Sequence, residues 1–135
     1  MVGADAEGAG HLVTVDVEGL RDDEEARRVA KAVADSALVK TAVFGADPNW
    51  GRIVSAAGYA GVDFEEEHLS MWLGDLLLYH LGTPQPFDAA TASAYLKHNR
   101  AVRLRLRFTL GAGRCTVWTC DLGHEYVKLN AEYTT

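Results

Sequence analysis

One stretch, residues 40–58, constrains the fold more than any other part of the chain. It reads Lys-Thr-Ala-Val-Phe-Gly-Ala-Asp-Pro-Asn-Trp-Gly-Arg-Ile-Val-Ser-Ala-Ala-Gly: a short apolar run, a glycine and a marked helix start. Asp47 is predicted to cap the helix, because its carboxylate can accept hydrogen bonds from free backbone N–H groups, and Pro48 suits the first helical position. Four apolar residues follow at the spacing of one buried helix face: Trp50, Ile53, Val54 and Ala57. Small residues form a second face that lets another backbone come close: Gly51, Ser55 and Gly58.

The pattern before this stretch predicts a βαβ-type start. In Leu12–Glu18, valines alternate with polar residues, as in a half-buried strand. Asp22–Ser36 carries apolar residues at helical spacing, with acids ahead of bases as the helix dipole favours. We interpret the further apolar run Leu38–Phe44 as the second strand of the unit.

The pattern after the central helix predicts a β-hairpin, a helix and two C-terminal strands. The predicted elements are the strands Leu69–Leu73 and Leu76–His80 joined by a Gly-Asp turn, the helix Ala89–His98 capped by Asp88, and the strands Val102–Phe108 and Arg114–Cys120. Together with the first half, they predict a single α+β (mixed α/β) domain spanning residues 1–135. From Asp121 onward the pattern fits a short helix with an extended tail, which we favour, or an alternating strand.

Three arginines, Arg103, Arg105 and Arg107, alternate with apolar residues along one predicted strand. They therefore share one face of a sheet. Such a stripe can bind an anion, but it more often faces solvent or pairs with neighbouring acids, and we expect the second arrangement here.

Composition excludes several partner classes. A net charge of −6 argues against nucleic acid and anionic membranes as partners, and no apolar run approaches the length of a membrane span. Met1–Glu7 lacks the basic start and apolar core of a signal peptide. Cys115 and Cys120 would lie about 17 Å apart in an extended strand, beyond disulfide reach. Free thiols suit a reducing compartment, so we expect the protein in the cytoplasm.

No motif indicates a metal or a resident cofactor. The five histidines include no two at ligand spacing, and no Cys-x-x-Cys pair occurs: His11, His68, His80, His98 and His124. Phosphate-binding loops, dinucleotide fingerprints and the Gly-x-Ser-x-Gly nucleophile motif are also absent from the sequence. The sequence therefore predicts no metal site and no cofactor site.

Two literal strings resemble a known family. Val-Lys-Thr-Ala-x-Phe-Gly-x-Asp-Pro-Asn-Trp-Gly-Arg-Ile, ending at Ile53, is similar to a hallmark of the ornithine acetyltransferase (glutamate N-acetyltransferase) family of arginine biosynthesis. The run from Cys120 to Thr135 resembles the C-terminus of that family. The resemblance covers nearly all of this chain, which corresponds to about the last third of the family's length.

The resemblance implies three substrate-binding residues. Asp-Ala-Glu-Gly-Ala-Gly-His, ending at His11, resembles a family segment whose glutamate helps to form the substrate site, and that role maps onto Glu7. The family's tail contributes an asparagine and its last threonine, which map onto Asn130 and Thr135. The segment departs from the family at Ala6, where a glycine is usual, and at Gly10, where a threonine is usual.

The implied chemistry is acetyl transfer from N-acetylornithine to glutamate through a threonine nucleophile, in arginine biosynthesis or a related natural-product pathway. Some family members also accept acetyl-CoA. The nucleophile's motif lies well upstream of the Glu7 segment. Thr14 and Thr41 do not lie in such a motif, so no catalytic residue is assigned in this chain. We therefore expect the chain to be inactive alone and to work in a hetero-oligomer with a chain that carries the N-terminal part, including the nucleophilic threonine and the oxyanion hole.

Two other interpretations stay open. The chain is a stand-alone binding or regulatory module that binds amino acids without turnover, or a structural subunit that uses the Trp50 helix as an interface. Calorimetry with ornithine, glutamate and their acetyl derivatives tests the first alternative. A large exposed apolar patch around the helix would support the second.

Overall fold

A six-stranded mixed sheet organises residues 10–120, the part of the chain that the computed structural model describes. Its strands are β1 (Leu12–Leu20), β2 (Leu69–Leu73), β3 (Leu76–His80), β4 (Thr83–Pro84), β5 (Ala101–Phe108) and β6 (Gly113–Cys120). Their order across the sheet is β4-β3-β2-β5-β1-β6. The central pair β1 and β5 is parallel, and every other neighbouring pair is antiparallel.

Four helices accompany the sheet: α1 (Asp23–Asp35), α2 (Ala37–Phe44), α3 (Trp50–Gly58) and α4 (Ala89–His98). A short 3₁₀ turn, Glu66–His68, precedes β2. The predicted mixed α+β class is confirmed. None of the helices in residues 10–120 is long and apolar enough to cross a bilayer. The single domain over residues 1–135 reaches beyond the described part and stays a prediction.

The core lies on one face of the sheet. Alternate strand residues such as Val15, Leu104 and Met71 are fully buried there, and they pack with the buried side chains of all four helices in one cluster. On α1 the buried residues recur every three or four positions, from Ala26 to Ala34, so one stripe of the helix covers the sheet. The opposite face carries the polar residues of the same strands.

Several predicted elements match the structure at both ends. The hairpin strands begin and end where the sequence placed them, and Gly74 in the turn has a positive φ of 59°. The helix Ala89–His98 is also confirmed, and the Asp88 carboxylate accepts a hydrogen bond from the Ala90 amide.

The predicted strand Leu38–Phe44 is wrong, because this run forms helix α2. The Ser36 hydroxyl caps the helix by accepting a hydrogen bond from the Val39 amide. Its buried residues are Val39, Ala42 and Val43, which have helical rather than alternating spacing. The run has only two polar residues, Lys40 and Thr41, and they are adjacent, so the pattern alone could not separate a helix from a strand. The described part of the chain thus begins with one strand and three helices instead of a βαβ unit.

The predicted cap of the central helix is also wrong. Helix α3 begins at Trp50, and the Asn49 side chain accepts the hydrogen bond from the Arg52 amide. Asp47 lies in the preceding turn, where its amide donates to the Ala42 carbonyl and its carboxylate accepts from the Asn49 side chain. Pro48 therefore precedes the cap instead of opening the helix. In the predicted stripe, Ile53 and Ala57 are buried, while Trp50 and Val54 are partly buried against the core.

The corrected cap predicts the result of two substitutions. Asn49→Ala is expected to lower the free energy of unfolding by about 1 kcal/mol, because the Arg52 amide loses its acceptor. Asp47→Ala is expected to cost less, because its carboxylate bonds an exposed side chain and no helix amide. Urea unfolding of both variants measures the difference. A larger loss of unfolding free energy for Asp47→Ala would indicate that Asp47, and not Asn49, caps the helix.

Candidate functional site

The three residues that the resemblance assigns to substrate binding, Glu7, Asn130 and Thr135, lie outside residues 10–120. The structure does describe the strands to which their segments connect. The Glu7 segment leads into β1, and the tail with Asn130 and Thr135 continues from β6. These strands are antiparallel neighbours, and Leu12 near the start of β1 lies opposite Cys120 at the end of β6. Both segments therefore join the sheet at the same end and on adjacent strands.

The lengths of the two segments limit how far Glu7 and Asn130 can lie from the Leu12–Cys120 pair. Paired residues of antiparallel strands have Cα atoms about 4.5–5.5 Å apart. Five residues from Leu12 to Glu7 span at most about 17 Å, and ten residues from Cys120 to Asn130 span at most about 35 Å. One amino-acid-sized pocket at this end of the sheet is within reach of both segments.

Two described side chains with polar groups, Lys40 and Thr119, stand beside this end of the sheet. Lys40 on α2 and Thr119 on β6 line the same narrow crevice between the helix layer and the sheet. Thr119 is 2% exposed, and its hydroxyl has no hydrogen-bond partner among the described residues. Partial burial lowers the pKa of Lys40, although the Asp35 carboxylate and the Cys120 thiol act in the opposite direction. The crevice has no free volume for a bound molecule, and neither side chain is a nucleophile with an adjacent base.

Sequence reasoning did not single out Lys40 or Thr119. Lys40 belongs to the hallmark string, but an isolated lysine has the same appearance in sequence whether it is solvated or partly buried. Thr119 sits on the core face of an alternating strand, where its hydroxyl gives no separate signal. His11 marks the same end of the sheet, because its ring Nε2 hydrogen bonds with the Leu96 carbonyl at the end of α4.

A second candidate site is a cleft of about 790 Å³ between α3 and the β3–β4 hairpin. Its walls include the predicted small-residue face of the helix: Gly51, Ser55 and Gly58. Trp50 and Tyr79 stack in the cleft with ring centroids 5.3 Å apart. Burial and the neighbouring Glu66 raise the pKa of Tyr79, whose hydroxyl is 3.5 Å from the Glu66 carboxylate. The volume is within the range of small-molecule pockets, and its aromatic lining suits apolar or planar groups.

The arginine stripe behaves as expected. Arg103 forms an ion pair with Asp16, and Arg107 forms one with Glu18 at 2.7 Å. Arg105 and Arg107 also place their guanidinium groups 5.0 and 4.9 Å from the centre of the Trp72 ring.

Within residues 10–120, no group of three or more metal-ligating side chains comes together.

Comparisons with known proteins agree with the resemblance. The model of the ArgJ family matches residues 1–135. The chain is 50% identical to "Arginine biosynthesis bifunctional protein ArgJ 1" of a Nostoc species, over 99% of this chain and 34% of the relative. It is 49% identical to the chloroplastic ArgJ protein of Citrullus lanatus, over 97% of this chain and 29% of the relative. The chain thus spans about a third of the length of these curated relatives.

A solved structure extends the likeness to the fold. The crystal structure of "Arginine biosynthesis bifunctional protein argJ" from Bacillus halodurans matches with a TM-score of 0.83 at 40% sequence identity. The match covers 98% of this chain and 62% of that chain. Because the family model covers the full length and the fold agrees, the chain belongs to the ArgJ family.

Proposed function

We propose that this chain is the C-terminal, substrate-binding part of an N-acetyltransferase that moves an acetyl group from N-acetylornithine to glutamate. The observation that carries the proposal is the match of the ArgJ family over the whole chain, with arginine biosynthesis in the names of the relatives. The pairing of Leu12 with Cys120 supports it, because this pairing joins the Glu7 segment and the tail at one end of the sheet.

In the proposed reaction, the threonine nucleophile comes from the part of an ArgJ-type protein that this chain does not span. Its hydroxyl oxygen attacks the acetyl carbonyl of N-acetylornithine, the C–N bond breaks, and ornithine leaves with the proton on its amine. The amine of glutamate then attacks the acetyl-threonine ester, which releases N-acetylglutamate and returns the proton to the threonine. This is covalent, ping-pong catalysis. Acetyl-CoA is the alternative acetyl donor, and no resident cofactor takes part.

The role of this chain in that scheme is to hold the amino-acid part of the substrate. Glu7, Asn130 and Thr135 are the proposed binding residues, as in the family. The developing oxyanion needs fixed hydrogen-bond donors, which the proposal places on the partner part together with the threonine. We also propose that the hetero-oligomer works in the reducing cytoplasm. The free thiols of Cys115 and Cys120 support this compartment.

An acetyl-transfer assay tests the proposal. The chain alone is expected to show no turnover of N-acetylornithine with glutamate. When it is co-expressed with the part of the Nostoc relative that it does not span, the pair is expected to convert both substrates. Chromatography of the reaction products for N-acetylglutamate measures both. Turnover by the isolated chain would show that it carries its own nucleophile, and a stable complex without turnover would contradict the assigned activity.

A second candidate function is a non-catalytic module that binds amino acids. The cleft beside α3 favours it, because Trp50 and Tyr79 line an open cleft formed entirely by residues in the range 10–120. Calorimetry of the isolated chain with ornithine, glutamate and their acetyl derivatives separates the two functions. Micromolar binding that Trp50→Ala removes would support the module.

A further inference from the structure

One face of the central sheet is open in the described part of the chain. It consists of alternate residues of four strands: Thr14, Asp16 and Glu18 on β1, Trp72 on β2, Arg103, Arg105 and Arg107 on β5, and Arg114, Thr116 and Trp118 on β6. We call this set, together with Leu12, the open face. Ser70, the other β2 residue on this side, is buried and accepts a hydrogen bond from the Leu81 amide, so the face is open only from Trp72 to β6. The buried side chains of all four helices pack with the other face of the sheet.

Two large apolar side chains, Leu12 on β1 and Trp118 on β6, lie on the open face near one end of the sheet. The apolar groups here are only partly shielded. Leu12 is 48% exposed and Trp118 is 40% exposed. They are diagonal neighbours, because Leu12 lies opposite Cys120 and Thr14 lies opposite Trp118.

The charges of the open face are unbalanced. Four arginines stand against two carboxylates, and the carboxylates already pair with Arg103 and Arg107. Arg105 contacts the Trp72 ring, and among the described residues neither Arg105 nor Arg114 has a carboxylate within ion-pair distance. The open face is therefore locally positive on a chain whose net charge is −6. A partner surface with acidic groups opposite Arg105 and Arg114 would complement it.

We propose that the open face is the docking surface for the part of an ArgJ-type protein that this chain does not span. The chain covers about a third of the length of its curated relatives, so each of them contains about twice as many further residues as this chain has. Leu12 and Trp118 lie at the end of the sheet where the Glu7 segment and the tail join. A partner seated there brings its nucleophile next to the proposed substrate-binding residues. This inference rests on the proposed function and adds the surface through which the two parts meet.

The residue types also suit an interface. Tryptophan and arginine dominate the energetics of protein interfaces, because they bury large areas and make charge-assisted hydrogen bonds. The Trp72 ring lies about 5 Å from the guanidinium groups of both Arg105 and Arg107, and these contacts restrict the two side chains, which lowers the entropy lost when a partner binds them.

Co-purification with matched variants tests the surface. The chain is co-expressed with a tagged form of the part of the Nostoc relative that it does not span. The amount of this chain that co-purifies with the tagged part is then measured. Trp118→Ser and Arg105→Glu on the open face are expected to lower retention at least tenfold. The controls Tyr59→Ser and Arg28→Glu likewise remove one aromatic ring and reverse one arginine charge, but in the helix layer, where Tyr59 is 86% exposed. They are expected to stay within twofold. Thermal melting of each variant alone identifies any that fail to fold.

Oxidative footprinting of the unmodified complex gives a readout that does not depend on variants. Trp118 is expected to lose most of its labelling when the partner is present, whereas Tyr59 keeps its labelling. If the complex forms but Trp118 stays labelled and the open-face variants are retained normally, the inference is overturned and the proposed function stands. If the unmodified chain retains no partner at all, both are overturned.

Discussion

Replacing Gly19 with alanine is expected to lower the free energy of unfolding by about 4 kcal/mol or more. Gly19 has a φ of +90°, a conformation that residues with a side chain rarely adopt. An added Cβ would lie 1.9 Å from the Phe108 carbonyl oxygen, which is fixed in β5 and cannot rotate away. Gly19 also anchors the β5–β6 turn, because its carbonyl accepts hydrogen bonds from the Leu110 and Gly111 amides. The clash therefore forces apart the two central strands.

Substitutions at two other glycines distinguish the two causes of the lost unfolding free energy, which are the strain of a positive φ and the clash with Phe108. Gly61 also has a positive φ, but an added Cβ would meet only the Arg28 side chain at 3.5 Å, so Gly61→Ala is expected to cost about 1 kcal/mol. Gly58, in helix α3, has no atom within 4 Å of the added Cβ, and Gly58→Ala is expected to be neutral or stabilising by up to about 1 kcal/mol. Urea unfolding of the three variants measures the series. Equal losses at Gly19 and Gly61 would mean that φ strain, and not the contact with Phe108, decides the effect.

Local signals explain which parts of the fold were predictable. The hairpin was predictable because Gly74 and Asp75 supply a two-residue turn between two apolar runs. Asp88 was predictable as a cap because the helix after it has no competing cap residue. At the central helix, Asp47 and Asn49 both suit a cap and Pro48 lies between them, so local chemistry alone did not decide. Asn49 became the cap because Asp47 is held in the turn by the hydrogen bond from its amide to the Ala42 carbonyl.

The sheet order was not predictable, because it depends on contacts that are distant in the chain. Leu12 pairs with Ala101 on one side and with Cys120 on the other. No local pattern in Leu12–Glu18 distinguishes a central strand from an edge strand. The same limit applies to the candidate site. Resemblance to the family assigned Glu7 and Asn130, but only the β1–β6 pairing indicates that their segments start side by side.

The largest expected effect on activity is at Glu7. In the co-expressed complex, Glu7→Gln is expected to lower kcat/KM for acetyl transfer roughly 10- to 150-fold. A hydrogen bond to a charged group contributes about 1.5–3 kcal/mol, and each 1.4 kcal/mol is a factor of ten. The substitution keeps the size of the side chain and removes only its charge. Because the substitution conserves the size of the side chain, the melting temperature is expected to stay within about 2 °C.

A glutamate at the other end of the sheet provides the control for this effect. Glu67 is exposed in the turn before β2, and β2 begins opposite Phe108, at the end of β5 far from Leu12 and Cys120. Glu67→Gln removes the same charge and is expected to leave kcat/KM within twofold. Asn130→Ala is expected to lower kcat/KM by a similar factor to Glu7→Gln, because both side chains are proposed to hold the same amino acid. If Glu7→Gln retains full activity while Asn130→Ala loses it, the tail alone binds the substrate and the shared pocket at this end of the sheet does not exist.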